Sequence, residues 1–114
     1  MKLMDAVREI AKEEKKYFEN YMHYAKLIKR VAEEELGKAE VYVFGSVVEK
    51  KHTPASDIDV LVVSENAPKS QWERSKIRAK ILKSIDVFAP FEIHVVTPRE
   101  FEWYRRFCKK IRRV

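Results

Sequence analysis

Cysteine, glycine and long apolar runs are scarce in this sequence, and each shortage excludes a class of protein. Among its 114 residues, one is cysteine and two are glycine. The single cysteine, Cys108, cannot form a disulfide within the chain, which excludes a disulfide-stabilised secreted scaffold. No apolar stretch approaches the roughly 20 residues that a membrane-spanning helix requires. The charged residues close to Met1 do not resemble a secretory signal, so we expect a cytoplasmic protein without a membrane partner.

Side-chain amides are equally scarce, whereas charged residues are abundant. The sequence contains one glutamine and two asparagines, and 37% of its residues are charged. This composition is typical of proteins from thermophiles. The formal net charge of +6 suits an acidic partner such as a nucleotide, a nucleic acid or an acidic protein. Because the length is usual for one domain and no linker or repeat interrupts it, we predict a single domain over residues 1–114.

Three short segments have the composition of β-strands. Runs of β-branched and aromatic residues predict strands at residues 41–44, 57–63 and 91–96. The second run is apolar toward its end, as in the central strand of a buried sheet. Together with the helices described next, the order α-β-β-α-β-α predicts an α/β (α+β) fold, in which helices pack on a small three-stranded sheet.

Apolar residues recur at helical spacing in the remaining segments. They predict a long N-terminal helix over residues 2–36, with a kink near residues 17–21. A middle helix is predicted over residues 71–85. A basic last helix is predicted over residues 98–112, because the capping-box sequence Thr-Pro-Arg-Glu stands at its start.

The chemically informative segment lies between the first two predicted strands. Gly45 and Ser46 follow the first strand, and ten residues separate Ser46 from the sequence Asp57-Ile58-Asp59. Since strand residues alternate between faces, we expect the carboxylates of Asp57 and Asp59 to point the same way. They would repel each other without a cation between them, and Mg²⁺ takes such oxygen ligands together with phosphate oxygens. The Gly45 backbone and the Ser46 hydroxyl are suited to contact a phosphate, so the segment predicts a metal and nucleotide site.

A third acidic residue stands inside a predicted apolar strand. Glu92 belongs to the third strand, where a charge is costly unless it has a partner or a function. A third carboxylate would complete a two-ion site, as a ligand of one ion or as the acceptor of the attacking hydroxyl's proton. His94 lies on the same face of that strand and is the alternative to Glu92 at this position.

These features together resemble the signature of a known family. The sequence Phe-Gly-Ser at residues 44–46, followed after ten residues by Asp-Ile-Asp at residues 57–59, is similar to the motif of the nucleotidyltransferase fold of the DNA polymerase β superfamily. The resemblance covers residues 38–100, which would form the catalytic core. The short chain resembles the minimal nucleotidyltransferase branch of that superfamily.

The resemblance implies an activity and gives roles to the site residues. The implied activity is Mg²⁺-dependent transfer of a nucleoside monophosphate from a nucleoside triphosphate, with ATP as the expected one, to a hydroxyl of an acceptor. The catalytic residues, which would also ligate two Mg²⁺ ions, are Asp57, Asp59 and Glu92. The nucleotide-binding residues would be Gly45, Ser46, Lys50 and Lys51, where the two lysines screen phosphate charge.

The sequence departs from the family pattern at three places. Many members carry arginine directly after the Gly-Ser pair, where this chain has Val47. Many carry a glycine in the following loop, where this chain has Glu49 and two lysines. The third carboxylate is commonly aspartate, whereas this chain offers Glu92 or His94.

Other partners are also compatible with the sequence. Short members of the family are often encoded beside a helical HEPN-type protein, which implies an antitoxin that modifies or binds that partner. The basic residues of the last predicted helix, from Arg105 to Arg113, form a patch that suits RNA. The apolar stripe of the first helix is compatible with a homodimer.

Overall fold

A mixed four-stranded sheet forms the centre of the fold. The computed structural model describes residues 2–53 and 56–114. Within these ranges the elements are α1 (Leu3–Glu19), α2 (Tyr21–Leu36), β1 (Glu40–Phe44), β2 (Ile58–Val63), α3 (Gln71–Lys83), β3 (Phe91–Val96), α4 (Pro98–Phe107) and β4 (Ile111–Arg113). The predicted α/β (α+β) class is confirmed by this arrangement. Among the described residues, no helix combines the length and the apolar character that crossing a bilayer requires.

β2 occupies the interior of the sheet. The strand order is β3-β2-β1-β4, with β2 antiparallel to β1 and parallel to β3. A parallel pair requires a crossover connection, which α3 provides. Every residue of β2 is buried except Asp59, which is partly exposed. This central position explains why the strand is apolar from Val60 to Val63.

Helices cover both faces of the sheet. On one face, strand residues pack against α2 and α3, where Ile28 and Ile81 are fully buried. On the other face, Leu61 of β2 packs with Phe101 of α4. Burial of an aliphatic or aromatic side chain contributes about 1.5–3 kcal/mol, so the two clusters hold the helices on the sheet.

The N-terminal helix predicted over residues 2–36 is two helices. α1 ends at Glu19 and α2 begins at Tyr21, so the expected kink is a complete interruption at Asn20. The backbone and side-chain amides of Asn20 both donate to the carbonyl oxygen of Lys16, each at 3.0 Å. A short polar side chain that competes for backbone partners favours helix ends over helix interiors, which accounts for the position of the break.

The prediction of a last helix over residues 98–112 is wrong beyond Phe107. Cys108 has extended backbone angles, with φ −89° and ψ 127°, and Ile111–Arg113 forms β4, antiparallel to β1. β4 pairs with backbone groups along the edge of β1 that would otherwise need other partners. The sheet therefore has four strands in the described residues, instead of the three predicted.

This change also divides the basic run that suggested an RNA-binding helix. Arg105 lies in α4, whereas Arg112 and Arg113 lie in β4. Arg113 pairs with Glu40 at 3.4 Å, and Arg112 donates to the hydroxyl of Tyr21 at 3.0 Å. The basic residues therefore do not form the single helical face on which that hypothesis depended.

A buried arginine joins α3, β3 and α4. Arg74 is 5% exposed, and its guanidinium donates to the carbonyl oxygen of Val95 at 3.1 Å and lies 2.9 Å from Oε1 of Glu100. Glu100 also accepts from the backbone N–H of Thr97 at 3.0 Å, within the predicted capping box of α4. The hydrogen bond from Arg74 is the main reason that the pKa of Glu100 is about 2, below its usual 4.5.

Glu100→Gln is expected to reduce the change in free energy of unfolding with pH in the acidic range. The ionised carboxylate of Glu100 stabilises the fold above pH 4.5, because its pKa is lower in the folded chain than in the unfolded chain. This stabilisation is lost as the pH falls through about 2. Urea unfolding at a series of pH values should show that the wild type exceeds Glu100→Gln in free energy of unfolding most clearly above pH 4.5, and less below it.

Glu102→Gln is the matched control for this comparison. Glu102 forms an exposed pair with Arg105 at 3.2 Å, and such pairs contribute little to stability. We expect this variant to follow the wild type at every pH. A stability difference between wild type and Glu100→Gln that is independent of pH would contradict the role given to Glu100.

Candidate active site

Two of the predicted acidic residues lie side by side on neighbouring strands. In the parallel register of β2 and β3, Asp59 is opposite Glu92. Phe44, the last residue of β1, pairs with Asp59 from the other side. Because side chains alternate between the faces of a sheet, these three residues share the face that α4 covers. The register of the sheet therefore brings the two carboxylates together.

His94 lies beside the two carboxylates. One ligand atom from each of Asp59, Glu92 and His94 lies within 4.8 Å of the other two. Nε2 of His94 is 3.9 Å from Oδ1 of Asp59 and 3.8 Å from Oε1 of Glu92, and both distances are too long for hydrogen bonds. The side chain of Asp59 is 25% exposed, that of His94 27% and that of Glu92 55%, so a small ligand can reach all three. The sequence offered Glu92 and His94 as alternatives, and the structure brings both to one place.

The donor atoms of this group suit a divalent cation. Two carboxylates supply oxygen ligands and negative charge, and the imidazole supplies a nitrogen ligand. Neighbouring ionised carboxylates repel each other, and a cation between them removes that cost. Asp59, Glu92 and His94 are called the acid–histidine cluster below.

The backbone at Gly45 packs directly against the Asp59 carboxylate. Gly45 has a φ of +81°, a conformation that residues with a Cβ rarely adopt. A Cβ at this position would also overlap Oδ2 of Asp59. The turn after β1 therefore favours glycine, and any larger residue here would displace the Asp59 carboxylate from its present position.

The turn after Gly45 contains the other predicted nucleotide-binding residues. The backbone N–H of Glu49 donates to the carbonyl oxygen of Gly45 at 3.1 Å, and that of Lys51 donates to the carbonyl oxygen of Ser46 at 2.8 Å. Lys50 has a φ of 59°, and both lysines are exposed. Ser46, Lys50 and Lys51 therefore belong to one hydrogen-bonded turn that starts beside the acid–histidine cluster.

Val47 shows what one departure from the family pattern does in this chain. Its side chain is 4% exposed and belongs to the main hydrophobic core. An arginine at this position would have to leave that packing or bring a buried charge into it. In this chain the residue after the Gly-Ser pair therefore holds the turn against the core.

Asp57 does not join the acid–histidine cluster. Among the described residues, the ligand atoms that lie close together come from Asp59, Glu92 and His94. β2 begins at Ile58, and Asp57 is an exposed residue before the strand. Its role as a metal ligand stays a prediction.

α4 and the residue that follows it place two further side chains near the site, Tyr104 and Cys108, which the sequence analysis did not assign to it. The ring of Tyr104 lies 5.9 Å from that of His94 and 5.8 Å from that of Phe44, measured between centroids. Burial raises the pKa of Tyr104, and nearby acidic groups, Asp59 among them, add to the effect. Burial also raises the pKa of Cys108, so its thiol stays protonated near neutral pH and is a poor nucleophile. The spacing of Tyr104 from Phe101, three residues along α4, is the signal that Tyr104 faces the sheet.

Comparison with known proteins identifies the family of this chain. The model of the family described as nucleotidyltransferase domain matches residues 24–114. The chain belongs to this nucleotidyltransferase domain family. The resemblance seen in the sequence is thereby confirmed, and the family supports nucleotidyl transfer as the general chemistry of the site. α1 lies outside the matched residues.

Two crystal structures resemble this nucleotidyltransferase domain. One, of a protein described as a "putative nucleotidyltransferase", is 36% identical, covers 78% of this chain and 95% of its own, and has a TM-score of 0.64. The other, from Sulfolobus solfataricus and given the same description, is 18% identical, covers 94% of this chain and 84% of its own, and has a TM-score of 0.60. The second likeness shows a shared fold alone. No match was found among curated proteins.

Gly45→Ala is expected to damage the site, whereas Gly37→Ala should affect stability alone. Both glycines have positive φ, +81° and +78°, so each substitution should cost about 1–3 kcal/mol of stability. The Cβ at residue 37 would meet its nearest neighbour, Nδ2 of Asn66, at an ordinary 3.7 Å, whereas the Cβ at residue 45 would overlap Asp59. Urea unfolding and calorimetric titration with Mg²⁺ would measure both effects.

The test compares the two variants with each other and with the wild type. Gly45→Ala should be the less stable variant and should also bind Mg²⁺ more weakly than the wild type. Gly37→Ala should bind Mg²⁺ as the wild type does. Equal stability and equal metal affinity in the two variants would show that the space beside Asp59 is unimportant.

Proposed function

We propose that this nucleotidyltransferase domain transfers a nucleoside monophosphate from a nucleoside triphosphate such as ATP to a hydroxyl of an acceptor, with Mg²⁺ and release of pyrophosphate. The observation that supports it best is the position of Asp59, opposite Glu92 in the parallel register and against the backbone of Gly45. Phosphoryl-group transfer depends on positioning and on charge stabilisation. A partly exposed pair of carboxylates beside a glycine turn offers both.

The acidic residues would hold divalent cations, with Asp59 and Glu92 contributing from the strands and Asp57 from the preceding loop. Bound cations would neutralise the triphosphate and lower the pKa of the attacking hydroxyl. The acceptor oxygen attacks the α-phosphorus, the bond from that phosphorus to the bridging oxygen breaks, and pyrophosphate leaves with the electron pair. Glu92 is 55% exposed and is the carboxylate proposed to accept the proton of the hydroxyl.

The turn after β1 would hold the triphosphate. At Gly45 no side chain separates the backbone from a bound phosphate, and the Ser46 hydroxyl can donate to a phosphate oxygen. The exposed side chains of Lys50 and Lys51 place positive charge on the same turn. These two charges offset the repulsion between the triphosphate and the acidic residues.

The acceptor would be presented by another molecule. The described residues form four helices and one four-stranded sheet. The nucleotidyltransferase family match covers most of these residues. A partner protein with an accessible hydroxyl, of the HEPN type that the sequence suggested, is therefore the first acceptor to test. Pyrophosphate release in the presence of the partner would report the transfer.

Asp59→Asn is expected to abolish ATP binding that depends on Mg²⁺. The substitution keeps the size of the side chain and removes the charge next to Gly45. The fold should therefore persist, while the loss of one charged ligand lowers the affinity for Mg²⁺ by about tenfold or more. Asp57→Asn should weaken binding of the Mg²⁺–ATP complex without a loss of stability, because Asp57 is exposed. Isothermal calorimetry with ATP, with and without Mg²⁺, would measure both.

Asp5→Asn provides the control for a general loss of negative charge. Asp5 is exposed on α1, outside the residues that match the family, and its replacement should leave ATP binding unchanged. Tight Mg²⁺-dependent binding in Asp59→Asn, or wild-type binding that is indifferent to Mg²⁺, would overturn the proposed function.

A further inference from the structure

The acid–histidine cluster contains a nitrogen ligand beside its carboxylates. We propose that His94 is a metal ligand, and that it makes this cluster select a first-row transition dication over Mg²⁺. The inference deepens the proposed function, on which it rests for the role of the bound metal, by naming the class of cation that the cluster holds. The cation that enters with the triphosphate, held largely by phosphate oxygens, remains Mg²⁺.

The position of His94 is the first support. Nε2 of His94 lies 3.9 Å from Oδ1 of Asp59 and 3.8 Å from Oε1 of Glu92, so it faces both carboxylates at nearly equal distances. Neither distance is a hydrogen bond. A dication between the three atoms would be within reach of all of them after small side-chain movements, since ligand distances for such ions are about 2.0–2.2 Å.

The rigidity of the surroundings is the second support. Glu92 and His94 are two residues apart on β3, and Asp59 pairs with Glu92 from the adjacent central strand. The imidazole ring packs against the rings of Phe44, at 5.8 Å, and Tyr104, at 5.9 Å. His94, which is held by a paired strand and two packed rings, is therefore positioned before the metal binds, whereas the more exposed side chain of Glu92 can adjust to the metal.

The chemistry of the ligands indicates the class of metal. Mg²⁺ prefers oxygen ligands and keeps several waters, whereas imidazole nitrogen favours first-row transition dications. In the described part of the chain, the other two histidines lie elsewhere. His52 stacks on Phe18 at 4.8 Å between ring centroids, and His23 packs edge-on against Tyr24 at 5.2 Å. The nitrogen contribution at the cluster therefore comes from His94.

Calorimetric titration of the full chain with Co²⁺ and, separately, with Mg²⁺ tests the proposal without nucleotide. His94→Gln should lower Co²⁺ affinity by about tenfold or more, while Mg²⁺ affinity changes by less than about twofold. His94→Asp, which makes every ligand an oxygen, should keep Mg²⁺ binding and lower the ratio of Co²⁺ to Mg²⁺ affinity. His23→Gln is the control for surface histidines and should behave as the wild type.

The outcomes separate this inference from the proposed function. Unchanged Co²⁺ affinity in His94→Gln, or equal losses for Co²⁺ and Mg²⁺, would overturn the assignment of His94. If Mg²⁺-dependent ATP binding persisted in that case, the proposed nucleotidyl transfer would still stand. Co²⁺ binding that depends on His94 in a protein that does not bind ATP would support the metal ligand and overturn the proposed function.

Discussion

The contact between the Gly45 backbone and the Asp59 carboxylate is the constraint on which the rest of the site depends. Asp59 is the one residue of β2 that is not buried, and it lies near the start of the strand, where β1 ends. The positive φ of Gly45 turns the chain away from the sheet, so the carboxylate is left partly open to solvent. With a side chain at residue 45, the turn and the carboxylate would compete for the same space. The position of the turn after β1 and the position of the acid are therefore set together.

A second interaction determines what surrounds that carboxylate. Arg74 donates to the Val95 carbonyl oxygen at the end of β3 and to Glu100 in the first turn of α4. Because the Glu100 carboxylate also completes the capping box, the start of α4 is fixed relative to the sheet. The helix then brings Tyr104 over His94. The ion pair between the buried Arg74 and the more exposed Glu100 thus helps to set the exposure of the acid–histidine cluster.

The sequence predicted the parts of the molecule that are determined by residues close together in the chain. The strand of apolar residues, the glycine that ends it and the acidic residues Asp59 and Glu92 were found because periodicity and turn chemistry are visible in the sequence. The interruption at Asn20 and the strand β4 depend on competition between backbone partners, which a periodic pattern does not reveal. Strand alternation did not show that the group of ligand atoms lying close together would hold Asp59, Glu92 and His94 without Asp57. Tyr104 required knowledge of how α4 packs.

The three acidic residues differ in how far their side chains are exposed to solvent. Asp59 is 25% exposed, Glu92 is 55% exposed and Asp57 lies on an exposed segment before β2. Repulsion between charges is strongest where water is excluded. Asp59, the least exposed of the three carboxylates, is therefore stabilised most by a bound cation. His94 is equally covered, and its nitrogen can bind a metal without adding a further negative charge to that crowded position. An imidazole at this position is therefore compatible with two neighbouring carboxylates, whereas a further acid in its place would increase the repulsion that the cation must offset.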